Sequence, residues 1–559
     1  MKVTKSDEIR NSKLFNFRPF LFAAVCFCLG ITFCYLYVCH GVSAWWSLCA
    51  IPLSLTPFLF CRTRRQFIQR IWSVLWLATI FFVGFFSFFY RVDAYQNCTH
   101  YNGASYVVGT VTDISNNGDT TCVTLNNLII EEERAKGKLV AYLPTENCTQ
   151  LEISDKVLLT AKIKTEVGLT DENGFRAWEI GEGIRYKATY VSNVEEVGKA
   201  FNPFAIIRNR MQDRIYAGMD EEPAAVTVAV LTGDSSGMET GLLTNMRAGG
   251  IAHIFAVSGL HVGALFAFCL GILRCKRFRG IPKLAQFIGV AGLLFFYAGV
   301  CGFSPSIVRA TVICLVAYAA KLLLIETDFL ESLGVAALLI LCCQPMALFE
   351  VGFQLSFLSC FGIVLLARPI QNGCTCVCAK VRGLFPARKF TPSERKMLAR
   401  GDTLPPSIPE RIVKIGISFV AVSLAAQIAT APVQMYAFGY LSPLALILNC
   451  VFVPVLTCAF GILLLGVAVA CFLPIGAVTW VLGIPSMLWS GILLLFEYVD
   501  FSKFVLLDWK VSLGAFVSYY TGCTFLSDKW NLKDSVKKWI AVICGLVCVV
   551  CLVFANLSI

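Results

Sequence analysis

Apolar runs of membrane length recur along nearly the whole chain, and a single polar stretch of about 110 residues separates the early runs from the later ones. The pattern predicts spans at about 19–39, 44–61 and 71–90, and again at about 251–273, 283–301, 306–325, 329–349, 352–369, 412–436, 441–472, 475–499, 510–526 and 539–557. Crossing the hydrocarbon core takes about 20 mostly apolar residues in a helix, and these runs are continuous where a transmembrane barrel would alternate. The run at 441–472 is long for one straight span and contains Pro454, so it is expected to be broken or re-entrant.

The interruption at 91–200 changes period from helical to strand-like. Tyr106-Val-Val-Gly-Thr-Val-Thr112, Thr121–Leu125, Lys138–Tyr142, Lys156–Lys162 and Ile184–Tyr190 read as five short strands separated by Asn/Gly turns, which suits a small β-barrel of OB type. From Phe201 to Met219 apolar residues return at helical spacing with Arg208, Arg210 and Arg214 between them, predicting an amphipathic helix at the membrane surface or, alternatively, one packed on the β-domain. The expected organisation is N-terminal transmembrane helices at 1–90, an external OB-like domain at 91–200, an amphipathic helix and a Gly/Asp/Ser motif at 201–250, and a multi-span domain at 251–559.

Composition agrees with a polytopic α-helical membrane protein of about 12–13 spans: 57% of the 559 residues are hydrophobic, 15% are charged, and the mean hydropathy is +0.70. The net charge of +11 is not by itself a sign of nucleic-acid binding, because cytoplasmic loops carry excess Lys and Arg for topological reasons. Basic segments occur in the N-terminus, at 62–70, at 274–279, in a loop at 371–411 and at 529–538; alternation places all of them in the cytoplasm and the β-domain outside. The apolar run after the basic N-terminus exceeds the core of a cleavable signal, so it is expected to be a retained anchor. Most of the 26 cysteines sit in apolar spans and read as packing residues, whereas two of Cys98, Cys122 and Cys148 could be bridged on an oxidising face.

Polar groups that open or enter an apolar span carry a cost in hydrocarbon, which makes them functional candidates. Leu231-Thr-Gly-Asp-Ser-Ser-Gly237 holds Asp234 in a Gly-bounded turn, and the following Gly249–Val262 segment contains His253, Ser258 and His261. Ser258 and His261 stand one helical turn apart, so they are either a nucleophile–base pair or ordinary partners of backbone; no third orienting acid occurs at a fixed spacing. Arg309, in Ser304-Pro-Ser-Ile-Val-Arg-Ala310, is deep in its span and wants an anionic partner: a passing polyanion, or a structural carboxylate such as Asp234 or Glu350. Gln354, Gln427, Gln434 and Asn449 mark helix faces turned toward a pore or toward one another. With four histidines, no Cys/His spacing of a zinc site and no P-loop, neither a metal centre nor a nucleotide motor nor any cofactor is supported.

These motifs, with Ala256–Val262, Phe353-Gln-Leu-Ser-Phe357, Pro369, Thr430-Ala-Pro432, Phe438-Gly-Tyr-Leu-Ser442 and Asn449, occur in the order in which the ComEC family of competence proteins carries them, and the chain resembles that family along nearly its whole length. The resemblance implies an inner-membrane channel, not an enzyme, that admits single-stranded DNA during natural transformation. It also implies a cytoplasmic ATPase motor and a periplasmic or surface DNA receptor as partners. Longer relatives carry a C-terminal metallo-β-lactamase-like domain; this sequence ends in a span, so a separate nuclease is expected to degrade the second strand. Asp234, His253, Ser258, His261, Arg309 and Gln354 are the candidates for lining or shaping the path. A small-solute or polysaccharide transporter and a membrane-embedded Ser/His hydrolase are the competing expectations.

Overall fold

The structure, a computed structural model, describes residues 18–41, 64–97, 99–116, 120–144, 151–166, 168–171, 174–251, 258–275, 280–324, 328–382, 408–507, 512–526 and 534–557. The span expected at 44–61 lies outside these residues. Helices α1 (Pro19–His40) and α2 (Arg64–Gln96) pack side by side and parallel, because Tyr35 of α1 and Phe88 of α2 both meet the rings of Phe175 and Phe349. Their backbones approach closely at two glycines: a Cβ at Gly30 would lie 2.0 Å from the Phe81 carbonyl oxygen, and one at Gly84 would lie 2.5 Å from that of Phe27. Small residues at such crossings let helices associate where the hydrophobic effect between apolar surfaces is absent.

Strands β1 (Asn102–Asn116), β2 (Thr120–Ile130), β3 (Lys138–Pro144), β4 (Asp155–Thr165) and β5 (Ile184–Lys199) contain all five predicted strand segments. They close into a ring: β1 pairs with β2, β2 with β3, β3 with β5 in parallel, β5 with β4, and β4 with β1. Closure leaves none of the five with an open edge. Alternate residues of β4 point inward, and Val107, Leu125, Leu139, Leu159, Ile163 and Tyr186 fill the interior. A short helix, α3 (Ala177–Glu182), feeds β5.

Helix α4 (Pro203–Gly218) starts under an Asn202 cap that accepts from the Phe204 and Ala205 amides. It packs on membrane helices and not on the barrel: Gly218 faces Val478 and Leu482, and the Phe204 ring covers Gly299. A hydrogen bond from Asn209 Nδ2 to Glu152 Oε2 at 3.2 Å ties it back to the β-domain. Helix α5 (Glu221–Thr232) was not anticipated as an element. Its residues Pro223–Thr232 are all buried, and an element apolar on every side belongs inside a bundle. Helix α6 (Thr240–Ala248) follows, and its Asn245 binds the end of a distant helix: the side-chain amide donates to the Phe496 and Val499 carbonyls at 2.6 and 2.7 Å and its oxygen accepts from Phe501 N–H at 2.7 Å.

The remaining helices are α7 (Gly259–Arg274), α8 (Lys283–Val300), α9 (Pro305–Leu322), α10 (Phe329–Cys343), α11 (Val351–Arg382), α12 (Ile408–Phe438), α13 (Ala445–Ala470), α14 (Ile475–Tyr498), α15 (Leu513–Phe525) and α16 (Asp534–Leu557). Among the described residues nine helices are long and apolar enough to cross a membrane, with α7 and α10 as shorter apolar helices. That is fewer than the 12–13 expected, the difference lying in α7, α10, the 13-residue α15 and the undescribed 44–61 segment. Two expectations are corrected. Residues 445–470 form one unbroken helix with Pro454 inside, and the irregular backbone lies before it, where Tyr440–Leu441 pairs with Leu506–Leu507. The basic loop expected from residue 371 begins as helix, since α11 continues past Pro369 and Gly373 to Arg382; residues 383–407 lie outside the described residues.

Candidate functional site

A cavity of about 1090 Å³ opens where the barrel meets the helices. Its walls come from β1 and β3 (Asp113, Lys138), α3 (Glu179, Glu182), α4 (Arg208), the turn after α5, α6 (Arg247), the start of α9 (Ser304–Ser306, Arg309) and the start of α11 (Glu350–Gly352).

Chain reversal after α5 sets the first of these groups. Gly233 ends α5 in the left-handed conformation, φ 83°, with its amide bonded to the Ala229 carbonyl. The carbonyl of Leu231, left free by that ending, accepts from Tyr297 Oη at 3.1 Å and lies 3.4 Å from Cys301 Sγ, both on or next to α8. Asp234 then folds over its own turn, accepting from Ser236 N at 3.1 Å and Ser236 Oγ at 2.6 Å, while its other oxygen accepts from Arg208 Nη2 and Gln212 Nε2, each at 3.0 Å. Burial works to raise the Asp234 carboxyl, yet the Ser236 hydrogen bonds, Arg208 and Gln212 together hold it below the usual carboxylate range. Asp234 is therefore committed to α4 and to its own turn; it does not position Arg309.

Arg309 sits one turn inside α9 and is 6% exposed. Its Nε is buried without a hydrogen-bond partner among the described residues, and its Nη2 would lie 3.0 Å from a Cβ placed on Gly352. Glu350 is the carboxylate that faces it electrostatically, but among the described residues the two form no ion pair. Burial lifts the Glu350 carboxyl, Arg309 opposes that shift and Glu182 adds to it. Asp113 is lifted by burial as well, with Arg208 opposing. Elsewhere on the wall charges are paired: Lys138 with Glu182 at 2.5 Å, Arg176 with Glu166 at 3.0 Å and with Glu179, and Arg208 with Asp234. The lining thus carries both signs, and Arg309 and Arg247 are cations on it that hold no carboxylate among the described residues.

Of the sequence candidates, the cavity brings together Asp234 and Arg309. Ser258 and His261 do not line it; they build the start of α7. Ser258 Oγ accepts from Leu260 N at 3.3 Å, and Ser258 N–H donates to His261 Nδ1 at 3.0 Å, which puts His261 in the place that Glu or Gln takes in a capping box. The imidazole is 2% exposed and meets Phe460 edge-on, with ring centres 4.8 Å apart. The same Nδ1 lies 3.3 Å from Ser258 Oγ, but its lone pair is already taken by the Ser258 amide, so it is not free to accept the hydroxyl proton. Gln354 donates to the Leu348 carbonyl at 3.0 Å, closing the turn before α11, and Gln427 donates to the Ser442 carbonyl at 2.9 Å. His253 lies outside the described residues, as do Cys98 and Cys148; Cys122, on β2, carries a free thiol among the described residues. No group of three metal-binding side chains forms among the described residues. The sequence pattern marks Arg208 only as a charge on an amphipathic face and Lys138 only as the start of a strand, and it does not single out Asp113 or Arg247; their common signal, convergence on one cavity, is not written in any local pattern.

A family model described as Competence protein matches residues 230–532, more than half of the chain, from the end of α5 through α15. The chain belongs to the competence protein family. Arg309, Glu350, Asp234 and the Ser258–His261 cap all fall inside the matched segment. ComE operon protein 3 of Bacillus subtilis is 25% identical over 307 residues, which cover 53% of this competence protein and 39% of that relative. An uncharacterized MG316 homolog of Mycoplasma pneumoniae is 36% identical over 126 residues, 22% of this chain and 31% of the relative. An uncharacterized protein of Aquifex aeolicus is 25% identical over 189 residues, 34% of this chain and 43% of the relative. The matches span less than half the length of each of these relatives. No solved structure matches.

Proposed function

We propose that this competence protein is an inner-membrane channel that takes up single-stranded DNA during natural transformation. In this reading the N-terminus is cytoplasmic, the β-barrel is outside, and the cavity between barrel and helices is the vestibule through which the strand reaches the membrane block. The observation that carries it is that cavity, 1090 Å³ of space at a barrel–helix junction with Arg309 and Arg247 on its wall. A polyanion needs cationic and hydrogen-bonding lining, while carboxylates interleaved with the cations keep any one stretch from holding the strand too tightly to release. In the same reading a cytoplasmic ATPase pulls the strand inward, a surface DNA receptor delivers it and a separate nuclease removes its complement.

The hydrolase reading loses support from the capping role of Ser258 and His261. Uptake of labelled DNA by a deletion strain, complemented with the intact gene, tests the channel. Loss of internal label with surface label retained is expected; normal uptake and transformation in the deletion strain would remove the assignment to DNA and favour a small-solute or polysaccharide substrate.

A further inference from the structure

Two long helices begin at the same wall of the cavity. Helix α9 enters at Ser304-Pro305-Ser306 and α11 at Glu350-Val351-Gly352, and all six residues line the space. The first amides of a helix have no carbonyl of their own and carry the positive end of its dipole. In α11 the earliest bond back is from Gln354 N to Glu350 O, so the Val351 and Gly352 amides precede the ladder. Helix N-termini alone do not make a site; here a guanidinium lies between them. Arg309 is 6% exposed, lines the cavity, and has a buried Nε with no partner among the described residues. Its Nη2 would lie 3.0 Å from a Cβ at residue 352, so a side chain there would crowd the guanidinium and glycine leaves it in place.

An arginine buried to this degree without a bonded carboxylate is costly unless an anion completes it. The planar fork of donors matches a phosphate oxygen pair, and helix-terminal amides add donors of the kind that recur at phosphate sites. We propose that Arg309 and the start of α11 form a docking point for one phosphodiester group of the translocating strand, beside the Glu350 carboxylate that faces the same guanidinium. This rests on the DNA-channel reading and adds to it a single, base-independent contact at the entrance to the membrane block. Glu350 keeps the contact weak: it faces the same guanidinium without reaching ion-pair distance, so a bound phosphate is always opposed by a nearby carboxylate and can leave.

The test uses the full chain in lipid nanodiscs and two probes, a short oligothymidylate and an abasic phosphodiester oligomer of the same length, titrated over a range of salt. Wild type is expected to bind both. Arg309→Gln should weaken both by about 5- to 10-fold and flatten the slope of log K against log salt by about 0.7, the value for one phosphate contact on a single strand. Gly352→Ala should weaken binding in the same direction by displacing the guanidinium. Glu350→Gln should tighten binding, a gain that misfolding does not produce. Wild-type binding that Arg309→Gln and Glu350→Gln both leave unchanged in affinity and salt slope would overturn the docking point and leave the channel standing. Binding of oligothymidylate without the abasic oligomer would overturn it in favour of base stacking. Failure of wild type to bind either probe would take down the docking point and the DNA reading together.

Discussion

Arg208 and Asp234, 26 residues apart in sequence, meet at 3.0 Å on the wall of the cavity, and their pairing leaves Arg309 as the deep cation without a carboxylate bonded to it. The pair joins α4 to the turn after α5 and so fixes where that turn is presented to the barrel.

Breaking this pair should cost stability more than it changes the lining. Asp234→Asn is expected to lower the unfolding free energy by about 1–3 kcal/mol, the range for a partly buried hydrogen-bonded charge. Because the folded Asp234 carboxyl is held below its ordinary value of 3.8, its contribution is complete above that value and disappears as pH falls through the lower folded value. Thermal unfolding of wild type and Asp234→Asn should therefore differ at neutral pH and converge only in strong acid; a constant difference across that range would refute the assignment.

The Ser258–His261 cap makes a prediction by residue type. His261→Gln supplies the group that usually completes a capping box and should be tolerated, whereas Ser258→Ala and His261→Ala should each cost about 0.5–2 kcal/mol. Label uptake per folded molecule should be unchanged in Ser258→Ala. Complete loss of uptake with folding intact would restore a chemical role for the serine.

Asn245 holds the end of α14 through three hydrogen bonds. Asn245→Ala should destabilise by about 1–3 kcal/mol through the unsatisfied carbonyls and amide left behind. Asn245→Asp keeps an acceptor for Phe501 N–H but turns a carboxylate toward the Phe496 and Val499 carbonyls, so it should be no better. Protease sensitivity near residue 500 would report the local opening.

At the α1–α2 crossing, Gly30→Ala places a methyl 2.0 Å from a carbonyl oxygen and must push the helices apart. The expected loss is about 1–3 kcal/mol, as for an overpacked contact. Gly373→Ala in α11 is the matched control, since nothing lies within 4 Å of the added carbon; it should be neutral or slightly stabilising because alanine is the better helix former. Equal effects at the two positions would show that the close crossing is absent.

What the sequence determined by itself are the features carried by local periodicity. Continuous apolar runs mark helices such as α8, α9 and α14 nearly to the residue, and alternation marks the five barrel strands, because burial on one face or on all faces repeats with the period of the element. The expense of a polar group in an apolar run likewise singled out Arg309 and Asp234. Which charge meets which is a different kind of fact. Arg208 and Asp234, Lys138 and Glu182, or Asn245 and the end of α14 are brought together by chain reversals and helix crossings that no window of sequence contains. The same holds for His261, where one residue type serves as base, ligand or cap and only the backbone conformation of Ser258 selects the cap. Tertiary structure also decided that α5 is an interior helix and that Pro454 sits within an unbroken one, since neighbours on every side can compensate for short length or a missing amide in ways that propensity cannot register.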